Sequence, residues 1–290
     1  MQKTLSSIAL LISILLLSTN ANAETRLTLQ ASYDIETTET YEYQVLQLAL
    51  NKTQSSYGKY QLSVTPKAVP PSRLIVEANS SRYENFIFLN SASQEAADAL
   101  AYARFPALLG IIGYRVAFVS NGLKQQGYSI DSREELMRFT MLQGRGWLDG
   151  DILKDNGFTL KTGRNILGLY HMVANDRANF FPIGANQIQG AWQHFNHVEG
   201  LAIDDKVVMY YPLPRFFFMS KQNQAIINRI ERGLIAAYDD GSLQTLWQKH
   251  FKPALDFVNL KERKLFKFKN NYISGIDSSY EKYIFDPFAN

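Results

Sequence analysis

Between residues 26 and 89 the apolar residues switch from alternate spacing to helical spacing and back, and this rhythm narrows the fold more than any other feature of the chain. Leu27, Leu29 and Ala31 alternate with polar neighbours over 26–32, as in a strand with one buried face. Thr38 and Glu39 then introduce Tyr41, Val45, Leu48 and Ala49, one stripe of an amphipathic helix with an acidic residue at its positive end. A second strand is expected over 60–65 and a third over 85–89. Between them Pro70-Pro71-Ser72 starts a short helix carrying Arg73, Leu74 and Val76, with prolines where a missing amide hydrogen costs least. Strands separated by crossover helices imply a mostly parallel sheet, and ligands of such sheets sit outside the carboxyl ends of the strands.

The second half begins afresh after Gly110 and Gly113, where Tyr114-Arg115-Val116-Ala117-Phe118-Val119 reads as a long strand entered through a flexible point. A capping box, Ser132-Arg133-Glu134-Glu135, precedes a helix. A strand over 139–142 follows, then a helix over 147–156 closed by Gly157, a helix over 164–176 and a strand over 179–181. The β-rich runs 206–211 and 215–220 are split by Pro212-Leu213-Pro214, which forbids one continuous central strand. The last strong helix carries Ile226, Ile227, Ile230, Leu234 and Tyr238, stops at Asp239-Asp240-Gly241, and passes to a shorter one with Leu243, Leu246 and Trp247. This predicts two α/β lobes. One comprises 24–107 and 215–252; the other is inserted between two crossings within 108–214, and 253–290 forms a tail. Two strand-like crossings make a hinge.

Lys3, the apolar run 5–17 and Ala21-Asn22-Ala23 read as a signal peptide over 1–23, cleaved before Glu24 and too short to span a ~30 Å hydrocarbon core. An exported, periplasmic protein is expected. Cysteine is absent, which removes disulfides, thiolate metal sites and thiol nucleophiles. The net charge of +3 is far from the basic excess that a nucleic-acid partner requires. No Gly-x-Ser-x-Gly, His-Glu-x-x-His or Walker sequence occurs, and Asp204-Asp205 and Asp239-Asp240 sit in polar turns or at helix ends. His194, His197 and Glu199 lack a fixed third ligand and are not read as a metal site. No catalytic residue, metal or cofactor is expected.

Gly144-Arg145-Gly146-Trp147-Leu148-Asp149, Phe181-Pro182-Ile183-Gly184 and Tyr211-Pro212-Leu213-Pro214 through Phe218-Met219-Ser220-Lys221 occur in one order, followed by Ile230-Glu231-Arg232-Gly233-Leu234 and Asp240-Gly241-Ser242. Together they resemble type II periplasmic solute-binding proteins, in a branch near the family 3, amino-acid-type members, over most of 26–252. The resemblance implies a Venus-flytrap fold with a ligand between two lobes. It implies as partners a small-molecule solute and the permease of a membrane transporter, or a membrane sensor, with the protein itself a monomer. An envelope hydrolase is a weaker alternative, lacking an arranged nucleophile and base. The amino-acid clamp of these relatives is missing at both halves. The stretch 93–100 has no Arg for an α-carboxylate, and Phe181, Pro182 and Ile183 stand where a carboxylate takes the α-amino group.

Candidate ligand contacts follow from position. Gly144, Arg145, Gly146 and Trp147 lie between a strand and a helix, where backbone amides and the positive helix end suit an anion and Trp147 an aromatic wall; the alternative is an ordinary turn. Asp149 is either a first-turn stabiliser or a contact to a ligand hydroxyl or amine. Arg104 before the hinge and Arg73 after the prolines offer planar forks for a carboxylate or phosphate. Tyr33 offers an aromatic from the first lobe, and Asn186 and Gln189 offer neutral hydrogen bonds. Arg104 is expected to face the 144–147 turn across the ligand.

Overall fold

The computed structural model describes residues 24–32 and 36–289; the signal peptide expected over 1–23, with its expected cleavage before Glu24, and Tyr33 lie outside the described residues. The strands are β1 (Thr25–Leu29), β2 (Tyr60–Val64), β3 (Phe86–Ser91), β4 (Ala101–Tyr102), β5 (Tyr114–Ser120) and β6 (Met141–Gly144). They continue as β7 (Leu160–Gly163), β8 (Phe181–Gly184), β9 (Leu201–Ile203), β10 (Val207–Tyr210), β11 (Arg215–Met219) and β12 (Lys264–Lys267). One sheet runs β2-β1-β3-β11-β4 and another β12-β10-β5-β8, with β9 also on β5 and β6-β7 as a separate parallel pair. No helix among the described residues is long and apolar enough to cross a membrane.

The first sheet is assembled as the apolar rhythm requires. β1 pairs in parallel with β2 and β3, and the intervening helix Tyr41–Lys52 starts where the Thr40 side chain accepts the Tyr43 amide hydrogen at 3.2 Å. That helix buries Tyr41, Val45, Leu46, Ala49 and Leu50, and packs on the helix Gln224–Asp239. The two approach at backbone distance. A Cβ on Gly233 would lie 2.0 Å from the Ala49 carbonyl oxygen, so only glycine fits there. Beside it the buried Arg229 donates to Thr25 Oγ1 (2.8 Å), Thr53 Oγ1 (3.2 Å) and the Gly58 carbonyl (2.8 Å), satisfying a charge that burial would otherwise penalise.

The sheets are mixed rather than mostly parallel. β11 is antiparallel to β3, with Arg215 opposite Ser91, and β5 is antiparallel to β8, β9 and β10. The reason is geometric: β5 and β11 enter their sheets from the crossings, so they begin at the end where β3, β8 and β10 finish. The first residues of both strands are thereby placed at the junction of the lobes. Strands expected over 139–142 and 179–181 lie about two residues later; Phe180 enters only as a parallel bridge to Met141, and its ring packs on Phe139 (5.1 Å) and Tyr128.

The helix after Gly241 is longer than expected. It spans Ser242–Val258 and runs through Pro253, since Phe251, Ala254 and Val258 beside the proline are all buried. Beyond it the chain forms a strap. Arg263 donates to the Val258 and Asp204 carbonyls and pairs with the Asp204 carboxylate, which is fully buried and also receives the Tyr128 hydroxyl and the Lys206 and Val207 amides. β12 then extends the second sheet in parallel with β10. Asn270 donates to the Pro212 carbonyl at the return crossing, Ile276 and Tyr280 bury against the first sheet, and Tyr283 packs on Phe105 at 4.5 Å. Ile284 fills the space over Gly110, and the Phe285 amide donates to the Leu109 carbonyl (2.9 Å). The tail thus ties the second sheet, both crossings and the first sheet together.

Candidate functional site

A cleft of about 910 Å³ opens where the strand ends of the two sheets face each other. The wall from the second lobe is aromatic. Trp147 stacks near Phe181 (6.4 Å between ring centres), Phe181 meets Tyr170 edge-on (5.3 Å), Tyr170 stacks on Phe195 (3.9 Å) and His194 abuts Phe195 (4.6 Å). All five rings line the cleft. The facing wall is built from Leu74 and Ile75, the end of β3 (Phe88, Asn90, Ser91) and the start of the helix Gln94–Ala99.

Trp147 holds its place because of two glycines. A Cβ on Gly144 would lie 2.3 Å from Trp147 Cε2, so the indole lies directly on the backbone of β6, while Gly146 turns the chain at φ +77° with open space around it. Gly146 and Trp147 therefore line the cleft, whereas Gly144 supports from behind and the exposed Arg145 stands outside the lining. Two of the amides expected to be free at this turn are engaged within the chain. The Arg145 amide donates to the Gly163 carbonyl (2.8 Å) and the Trp147 amide to the Gly144 carbonyl (3.1 Å), leaving neither for an anion.

Asp149, in the first turn of the helix Leu148–Asp155, lines the cleft but is engaged from below. Its carboxylate forms an ion pair with Arg115 and accepts the Tyr211 hydroxyl at 2.5 Å, while the Arg115 guanidinium lies 5.4 Å over the Tyr211 ring. Burial raises the Tyr211 phenol well above its ordinary value, which keeps it protonated as a donor. Asp149 is thus an anchor for Arg115. Arg115 (5% exposed) and Arg215 both line the cleft, and the Nε of each is buried without an acceptor. Burial holds the Arg215 guanidinium below its ordinary value, with Glu42 and Asp149 opposing that effect and the neighbouring Arg115 adding to it.

The other residues named from sequence fall elsewhere. Arg73 is exposed at the end of the 3-10 turn Pro71–Arg73, while Pro71, Ser72 and Leu74 around it line the cleft. Arg104 does not face the 144–147 turn. Ala103 and Ala107 bond to Phe217 and Arg215, so residues 104–106 stand opposite Phe216 alone and bulge outward. The bulge buries Phe105 and leaves Arg104 exposed, its amide donating to the Glu231 carboxylate at 2.6 Å. Asn186 and Gln189 flank the cleft without lining it; Gln187 lines it instead, its amide oxygen accepting the Gly184 amide hydrogen. Tyr33 is outside the described residues. Arg115 and Arg215 were missed because each stands in an apolar run and reads as a strand residue. The available signal was a lone charge in each run at a crossing: Tyr114-Arg115-Val116 and Pro214-Arg215-Phe216.

No family model and no curated protein matches the chain. Solved structures do, at low identity. A Salmonella typhimurium periplasmic binding protein of high arginine specificity aligns with a TM-score of 0.56 at 15% identity, over 79% of this chain and 100% of its own. A putative binding component of an ABC transporter from Wolinella succinogenes, complexed with lysine, aligns at 0.55 and 19% identity over 79% and 95%. An ancestral amino acid-binding protein, described as a precursor of cyclohexadienyl dehydratase, aligns at 0.52 and 14% over 79% and 95%. The likeness is one of fold: this chain has the two-lobe α/β fold of periplasmic solute-binding proteins.

Proposed function

We propose that this chain is an exported solute-binding protein that captures a small polar or anionic molecule in the interlobe cleft and presents it to a membrane transporter. The observation that carries the reading is the cleft itself, whose volume, apolar walls and few convergent polar groups are those of a ligand site. β5 and β11 both begin at the junction, so small rotations there move one wall against the other. A molecule touching both walls favours the closed arrangement by its differential affinity for it. No reaction is assigned: Asp149, the most deeply placed carboxylate of the cleft, is committed to Arg115 and Tyr211 rather than paired with a nucleophile. The structural neighbours from Salmonella typhimurium and Wolinella succinogenes are binding proteins, the second a putative one, which supports the same reading.

Small-angle X-ray scattering on protein loaded with its solute, and again after stripping, tests the proposal. A smaller radius of gyration in the loaded state is expected. Identical scattering from a demonstrably loaded protein would mean that the cleft does not close on its contents.

A further inference from the structure

The cleft makes two separate demands on its occupant. Arg115 and Arg215 begin the strands that leave the two crossings, and both guanidiniums carry a buried Nε with no acceptor. Arg115 shares its charge with Asp149, but Arg215 has no carboxylate within 4 Å among the described residues. Glu42 and Asp149 offset the Arg215 charge only from beyond ion-pair distance, and an arriving anion in direct contact removes more of the penalty that burial of its Nε imposes. The planar fork of guanidinium matches a carboxylate in particular. Glu95 and Asp151 also line the cleft, yet both are exposed at its rim, where solvent screens their repulsion.

The second demand comes from the wall. Five rings in sequence, Trp147, Phe181, Tyr170, Phe195 and His194, face small or apolar groups on the other side, among them Ser91, Ala96 and Ile75. A flat apolar body fills such a slot and stacks on its faces. Among the described residues no carboxylate near the floor is free to receive an ammonium, because Asp149 is already bonded to Arg115 and Tyr211.

We infer that the cleft takes an aromatic carboxylate without an α-amino group, its carboxylate on Arg215 beside Arg115 and its ring against Trp147 and Phe181. This deepens the solute-binding reading and rests on it. The test is calorimetric titration of the whole stripped protein with 3-phenylpropionate, its amide, hexanoate and L-phenylalanine. The acid is expected to bind at least tenfold more tightly than each of the other three. Arg215→Gln should abolish the preference for acid over amide, and Trp147→Leu the preference for the ring over hexanoate, with melting curves showing both variants folded. An amide that binds as well as the acid, or a folded Arg215→Gln that keeps the preference, overturns the inference. Identification of the molecule that co-purifies with the native protein separates the two levels. A bound solute that is neither aromatic nor a carboxylate sinks the ligand class and leaves solute binding intact; an empty protein that also ignores all four probes overturns both.

Discussion

Replacing Gly144 by alanine would put a methyl carbon 2.3 Å from Trp147 Cε2 and 2.5 Å from Cδ2. Ordinary carbon contacts lie at about 3.5–4.0 Å, so the overlap exceeds an ångström. Gly144 does not have a left-handed backbone, and the clash is therefore the whole effect. The indole, backed by Phe181, can yield only by tilting into the cleft. Overpacking of this kind costs about 1–3 kcal/mol, which for a chain of this size lowers the melting temperature by roughly 2–12 °C. In a Trp147→Ala background the same alanine meets no indole and should be neutral to within about 0.5 kcal/mol. Urea denaturation of the four proteins, followed by circular dichroism, gives the coupling, and tryptophan emission reports whether the indole has moved. If Gly144→Ala costs as much without Trp147 as with it, the glycine serves the β6–β7 pairing rather than the indole. The reason for placing Trp147 on the cleft wall then falls.

Arg115→Leu should destabilise by about 3–5 kcal/mol because it strands Asp149, whereas Arg115→Leu with Asp149→Leu should recover most of that loss in denaturant melts. Gly233→Ala drives a Cβ into the Ala49 carbonyl, which cannot yield, and should cost at least about 3 kcal/mol by the same measurement. Burial holds the His250 imidazole below the ordinary histidine value of 6.5, with Lys249 adding to this and Glu42 and Glu39 opposing it. The unfolded chain therefore takes up a proton first, and stability is lost as pH falls from 6.5 through the lower folded value. Melting temperature should drop over that window in the native protein and less steeply in His250→Gln. Arginine, glutamate and glutamine should bind poorly in calorimetry, since Asp149 is already bonded to Arg115 and Tyr211 and does not offer its carboxylate to an α-ammonium; micromolar binding of any one would show that the cleft holds α-amino acids by other groups.

The apolar spacing of 26–49 was enough to read the first strand and helix of the first sheet's parallel core, because Leu27, Leu29, Val45 and Ala49 each bury the face that their spacing selects. Trp147 was legible as a cleft residue for a similar reason: the glycines around it announce a turn between strand and helix. The direction of β5 and β11 was not legible. Spacing tells which face is buried but not from which end a strand enters its sheet, and that direction is what brings Arg115 and Arg215 to the junction. Arg104 was misplaced because three residues bulge opposite one, an accident of local register. The strap was hidden by its composition, since Ile276, Tyr280, Tyr283 and Ile284 are buried at irregular intervals that follow the surface they cross rather than any helical or strand period.

Native mass spectrometry of the protein released gently from its own cell envelope tests the central claim most directly. The account predicts one small molecule bound per chain, freed unaltered on denaturation and absent from Ser91→Trp, where a new indole occupies the cleft from the β3 side. A chain that carries nothing, or a folded Ser91→Trp that keeps the molecule, contradicts it.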